Sequence, residues 1–564
     1  MFKKILTLLF ISTLFLGCRT DEKQQVINAK GGVRYGGEFR FMSSEKVQTL
    51  FPLSTTNVYT NRVVYQIFQR LVGFDPETKE LVPEIALSTD VNENSTVFTF
   101  HLRKDVYFHD DPCFEKGKGR LVTAHDFKYS LEFACSNHPL NHNSYLLRDK
   151  VLGADKFYRG EVDAVEGIRV IDDHTLEIEL KSPSAAFKKI MTHTGLSVFP
   201  REAYEKYGND IGLHPVGTGA FVLGEYTDDK IILNRNNNYW ETDEFGNPLP
   251  FLDKVVMTYS KDKTDELLSF RAEKIDLVLD IPVEEIKNVL GTLAQAKAGE
   301  NVKHRVYSLS SMSITYYGFS NQSEPFSNKN VRLAFNHAVN REAIINNWLE
   351  GEGWPALNGF VPKIIGYPNE KIKGYTYDVN KAQSLLAEAG YPEGEGFPTV
   401  KLYVNTLQGS GQHRLAEAVQ KSLKENLNVN IEIELITIEE REKLVQSQDA
   451  IFWRTGWVAD YPDPENFLNL FYSGNIDESN PTINPFKYNN PEFDALFEKA
   501  MGETNEEKRF ELLAQCDQII IDDAVVMPLM NDDFITMVNL KVRKFVTNEI
   551  EQLDFSTIYI KEVK

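Results

Sequence analysis

Asp460 and Asp463 stand three residues apart in the string Gly456-Trp457-Val458-Ala459-Asp460-Tyr461-Pro462-Asp463-Pro464-Glu465-Asn466-Phe467. Paired carboxylates could act as acid and base on a glycosidic bond. Here Pro462 and Pro464 fix a rigid turn around them, which suits a cap better than a reaction centre. Ser43 and Lys46 have the spacing of an acyl-enzyme serine and its base, with no second motif to complete it. His138 and His142 are spaced like metal ligands on one helix face. Pro139 and the neighbouring asparagines mark that stretch as a loop instead. Neither His-Glu-x-x-His, Gly-x-Ser-x-Gly nor a phosphate-cradling glycine loop occurs. The residues therefore argue against a peptidase or glycosidase, and no cofactor or metal is expected. By residue type alone, Asp460 reads as a turn cap ahead of Pro462.

The elements that would position these residues alternate between strand and helix. Phe98, Phe100 and Leu102 alternate with Thr99 and His101, the mark of a half-buried strand. Leu176, Ile178 and Leu180 repeat the pattern, as do Val429, Ile431, Ile433 and Leu435. Val64, Ile67, Phe68 and Leu71 predict one helix face; Ala382, Leu385, Leu386 and Ala389 predict another, stopped by Gly390. Thr123 and Asp126 are placed to cap the helix carrying Phe127, Ser130 and Leu131. No internal repeat or low-complexity tract interrupts this order. A chain of 564 residues with it is α/β, with core enough for two or three lobes.

Lys3 and Lys4 precede an apolar run over residues 5–16, too short to span a bilayer and laid out like a secretion signal. Leu14-Phe15-Leu16-Gly17-Cys18 resembles a bacterial lipobox, with Phe15 where Leu is usual. Residues 1–17 would then be removed and Cys18 acylated, anchoring the chain in a lipid bilayer outside the cytoplasm. Residues 18–32 are polar and without period, and read as a flexible tether. Cys113, Cys135 and Cys516 remain, an odd number that gives no disulfide framework and matches no zinc spacing. A Cys113–Cys135 bridge is left open. The net charge of -21 repels phosphate backbones, so nucleic acid is excluded as a partner. That acidity suits solubility, with mild attraction of cationic ligands as the alternative.

From residue 71 onward the chain carries a series of strings that together resemble one family. Leu71-Val72-Gly73-Phe74-Asp75-Pro76-Glu77-Thr78 is followed by Ala86-Leu87-Ser88, Val97-Phe98-Thr99-Phe100-His101-Leu102-Arg103 and Leu121-Val122-Thr123-Ala124-His125-Asp126-Phe127. Then come Pro215-Val216-Gly217-Thr218-Gly219-Ala220-Phe221, Pro250-Phe251-Leu252-Asp253, Phe319-Ser320-Asn321, Ala389-Gly390-Tyr391 and the string around Asp460. Any one is weak alone; their order is not. The chain resembles the family 5 extracellular solute-binding proteins, the peptide, dipeptide and nickel receptors of ABC importers. Residues 111–120, with Cys113, form an insertion relative to the common pattern.

The resemblance implies a type II periplasmic-binding-protein-like fold of two hinged α/β lobes, with an additional domain on the first. Lobe I would take residues 33–74, 205–282 and 528–564; the additional domain 75–204; lobe II 283–527. It implies a ligand-binding monomer rather than an enzyme, periplasmic or on the cell surface. Its partners would be a small peptide and an ABC permease with separate ATPase subunits. Nickel, haem, sugar or another small molecule is the alternative ligand. In the family pattern Asp460 falls where the peptide α-amino group is gripped, a charge-assisted bond strengthened in a closed cleft. Trp457 would line the pocket beside the first peptide residue, a core Trp being the alternative. Arg454 falls where some receptors hold the peptide carboxylate, for which a planar fork is suited; a salt bridge at the surface or between lobes is the alternative.

Overall fold

The structure, a computed structural model, describes residues 27–75, 77, 78, 80–279, 281–476 and 483–561. The expected signal over 1–17, the acylated Cys18 and the first part of the tether lie outside the described residues. The end of the tether is not a leash. Ile27–Asn28 pairs antiparallel with Arg34–Tyr35, and Gly31 and Gly32 (φ 74° and 76°) supply the left-handed turn between them.

Two large sheets carry the fold. The first runs in the order Phe221–Tyr226, Lys230–Arg235, Lys254–Tyr259, Glu38–Ser43, Leu277–Val278, Asp533–Asn539, His304–Ser310. The second runs Trp354–Pro355, Val526–Asn531, Ser313–Phe319, Phe452–Val458, Val400–Asn405, Ile431–Ile436. Its last two strands are parallel, joined by the helix Gly411–Leu427, because parallel neighbours need a crossover. A smaller antiparallel sheet, Ala86–Val91, Val97–Leu102, Thr175–Glu179, Ile168–Asp172, belongs to the additional domain. It shares one apolar core with the first lobe, where the Phe51 ring packs edge-on against Phe199 and Phe133 at 5.0 and 5.6 Å.

The chain passes between the large sheets twice, and the passes touch: Ser311 N–H donates to the Asp532 carbonyl at 2.9 Å. This moves two expected boundaries. His304–Ser310 pairs along its whole length with Asp533–Asn539 in the first sheet, so the first lobe runs past residue 282 to about residue 310 rather than yielding to the second at 283. The return comes at Asp532, after Val526–Asn531 has completed the second sheet, rather than at 528. A second difference is local. The helix Val58–Ile67, started by the Asn57 side chain accepting from Thr60 N–H, stops before Phe68 and Leu71, which are buried in non-helical chain. Its last carbonyl, on Ile67, accepts from Gly219 N–H at 2.8 Å. A Cβ on Gly217 would stand 2.0 Å from that oxygen, so the glycine turn is shaped to the helix end. The capping box is present as expected, with Thr123 N–H donating to Asp126 at 2.8 Å.

His109 ties the additional domain to the same turn. Its N–H donates to the Gly217 carbonyl at 2.8 Å, and its Nε2 lies 2.9 Å from the Gly219 carbonyl. Nε2 must carry the proton there, which leaves Nδ1 buried and without a hydrogen-bond partner among the described residues. Burial accordingly holds the imidazole well below its ordinary value, at about 4. A folded value below the unfolded one gives stability that is complete above pH 6.5 and lost as pH falls toward 4. We expect His109→Gln, which keeps the donor to Gly219, to remove about 2 kcal/mol of the stability lost between neutral and mildly acidic pH. Urea midpoints at two pH values check this, and equal losses in both proteins would refute it.

Candidate functional site

A cavity of about 370 Å³ lies between the lobes. The first lobe contributes Asn61 and Arg62 from the helix Val58–Ile67, and the additional domain contributes Tyr145 and His193. The second lobe contributes Arg454, Trp457 and Asp460. All three residues singled out in the sequence therefore reach one space. The strand that carries the first two pairs fully with Ser313–Phe319. On its other side it meets Val400–Asn405 only where Trp453 faces Tyr403. Residues 454–458 thus present an edge without a strand partner among the described residues. Arg454 and Trp457 alternate to opposite faces of that strand yet both line the cavity, which wraps the free edge.

The Asp460 side chain is 21% exposed. Asn466 Nδ2–H donates to its Oδ2 at 3.4 Å, and His193 Nε2 lies 3.4 Å from its Oδ1. The turn that follows is capped by Asp463 instead, whose Oδ1 accepts from Glu465 N–H at 3.1 Å. The Trp457 indole N–H donates to Asn466 Oδ1 at 2.7 Å, leaving the half-buried ring on the cavity wall. Trp453 is the core tryptophan of the pair, stacked on Phe486 at 5.8 Å.

Arg454 makes no ion pair among the described residues. Its Nε–H donates to Gln412 Oε1 at 3.3 Å, and Gln412 in turn reaches Asp532 at 3.5 Å. Asp532, at the crossing between lobes, accepts from the Ser313 and Thr315 hydroxyls at 3.1 and 3.0 Å. Burial pushes its carboxyl up, and the Arg454 charge only partly offsets this. Arg441, also on the wall, donates to Asn405 Oδ1 at 3.1 Å.

Sequence reasoning missed Asn466 and His193. Asn466 lay inside the recognised string, but nothing marked it as the partner of both Trp457 and Asp460. His193 is a lone histidine in a loop and carries no motif. Cys113, Cys135 and Cys516 are free thiols, so the open question of a bridge closes without one. Among the described residues no group of three or more His, Cys, Asp or Glu could hold a metal ion, and no helix is long and apolar enough to cross a membrane.

Residues 80–479 match the family model for bacterial extracellular solute-binding proteins, family 5 Middle. The chain belongs to this family. Among its relatives, heme-binding protein A of Haemophilus influenzae is 31% identical over 493 residues, covering 85% of this chain and 84% of that protein. Periplasmic oligopeptide-binding protein OppA of Escherichia coli is 28% identical, covering 86% of each. Among solved structures, the periplasmic binding protein DppA of Helicobacter pylori in complex with peptide STSA superposes with a TM-score of 0.80 at 26% identity, over 94% of this chain and 99% of that one. Haemophilus influenzae OppA in complex with RPPGFSPFR gives 0.80 at 25%, over 94% and 100%. This family 5 solute-binding protein thus has the two-lobed type II periplasmic-binding-protein fold expected from its sequence, with the cavity where its lobes meet.

Proposed function

We propose that this solute-binding protein captures peptides in the cleft and hands them to an ABC permease driven by separate ATPase subunits, while held to a membrane outside the cytoplasm by acylated Cys18. The supporting observation is the placement of Asp460 on the cavity wall beside the unpaired strand edge 454–458. An extended peptide can add its backbone to such an edge. Its ammonium then meets the Asp460 carboxylate, and its carboxylate meets Arg454, while Trp457 packs against the first residue. Two relatives of the same fold were solved with peptides bound, which favours this ligand class.

The experiment uses the full-length protein purified from membranes and a mixed peptide pool. Peptides should be retained uncut, and scattering should show a smaller radius of gyration with peptide than without, since a ligand that bridges two lobes favours the shut form. Cys18→Ser should leave the membrane fraction. Cleaved peptides, or an unchanged scattering curve at saturation, would overturn the receptor reading.

Haem is the second reading, favoured by the likeness to heme-binding protein A and by two histidines, His142 and His193, on the cavity wall. Each already has a partner: His193 Nδ1 accepts from Gly195 N–H at 2.8 Å, and His142 Nε2 lies 3.2 Å from the Pro139 carbonyl. A saturable Soret shift with hemin, combined with no retained peptide, would move the assignment to haem.

A further inference from the structure

His193 belongs to the additional domain, and Asp460 to the second lobe. The imidazole is buried, 7% exposed, and its orientation is fixed by Gly195, whose N–H donates to Nδ1 at 2.8 Å. A Cβ on Gly195 would stand 2.9 Å from that nitrogen and 2.8 Å from the Asn143 amide, so the ring is held in a tight seat. With Nδ1 accepting, the neutral ring carries its proton on Nε2, the atom 3.4 Å from Asp460 Oδ1.

Two further contacts cross the same boundary within a few residues. Lys189 Nζ lies 3.2 Å from Asp463 Oδ2, and Lys150 Nζ lies 3.5 Å from Glu465 Oε1. Both carboxylates are fully buried. The additional domain therefore seats on residues 460–465.

We infer that His193 is a positioning residue for the amine site: carried in by the additional domain on closure, its Nε2, in polar contact with Oδ1, orients the Asp460 carboxylate toward the ligand ammonium. This rests on Asp460 being the amine anchor. Asn466 holds the Asp460 carboxylate from within the second lobe, whereas His193 reaches it from the additional domain, so on this inference the site is complete only when the lobes are shut. Closure and amine recognition then become one event, and loss of His193 appears as faster ligand release.

The test uses tetra-alanine with a free or acetylated amine, against wild type, His193→Leu, His193→Gln and Asp460→Asn, by calorimetry and stopped-flow release. His193→Leu should weaken free tetra-alanine roughly tenfold, mainly through faster dissociation, and leave the acetylated peptide unchanged. His193→Gln, which can restore a donor, should recover part of the loss and covers the case in which the leucine variant folds poorly. Equal losses on both peptides would overturn the inference, since a residue that merely packs does not sense acetylation. If Asp460→Asn erases the preference for the free amine while His193→Leu keeps it whole, only this inference falls. If Asp460→Asn behaves as wild type, or wild type binds neither peptide, the amine reading falls with it.

Discussion

Asp460→Asn should lower affinity for a free-amine peptide by roughly two to three decades while leaving the melting temperature nearly unchanged. The substitution keeps shape and removes charge. An ammonium drawn into a closed cleft without its anion loses on the order of 3–5 kcal/mol, the usual consequence of leaving one partner of a buried pair alone. Stability should hold, because the polar contacts of the Asp460 carboxylate among the described residues are with Asn466 and His193 in the cleft, while the turn beside it is capped by Asp463. Acetylating the peptide deletes the same interaction from the other side. The two losses should therefore not add: acetylation costs wild type heavily and the variant little. A structural Asp460 predicts the reverse, a lower melting temperature with the acetylation penalty intact. Calorimetry on two proteins and two peptides separates these outcomes, and additive losses would end the assignment.

How far the sequence could be read depended on how local each signal was. The Thr123–Asp126 box and the Val97–Leu102 alternation rest on neighbours a few residues apart, and both are present in the fold. The lobe boundary placed at 283 rested on nothing local. His304–Ser310 is a half-buried strand whose side in the molecule is decided by Asp533–Asn539, a partner more than two hundred residues away. The helix predicted to include Leu71 failed for a similar reason: apolar spacing continues past Ile67, but the end is set by Gly219 docking on the Ile67 carbonyl. Within the site, family strings pointed to Asp460, Trp457 and Arg454, and all three line the cavity. His193 and Asn466 were invisible because their roles exist only once separate segments converge, and a lone histidine or asparagine has no periodicity to betray it.

The largest expected effect on stability belongs to Arg509, behind the same turn. Both its terminal guanidinium nitrogens donate to Asp463, Nη1 to Oδ2 at 2.9 Å and Nη2 to Oδ1 at 2.5 Å, with the pair almost wholly excluded from solvent. Burial pushes the Asp463 carboxyl up, but Arg509 and then Lys189 outweigh it and hold it below its ordinary value. The folded value being the lower, this carboxylate contributes stability above its unfolded value of 3.8 that is lost on acidification below it. Arg509→Met fills similar space and leaves Asp463 with the Glu465 N–H and with Lys189, a cation that reaches it from the additional domain. We expect it to cost about 3–5 kcal/mol of unfolding free energy. Asp463→Asn in the same background should return much of that, because it removes the stranded charge rather than adding a second defect. The double variant should also shut less readily, having lost the Lys189 contact, so its peptide affinity stays below wild type even where its stability recovers. Urea unfolding of the single and double variants decides the first point; a double variant no more stable than Arg509→Met would show that the arginine acts through packing rather than through the charge it neutralises.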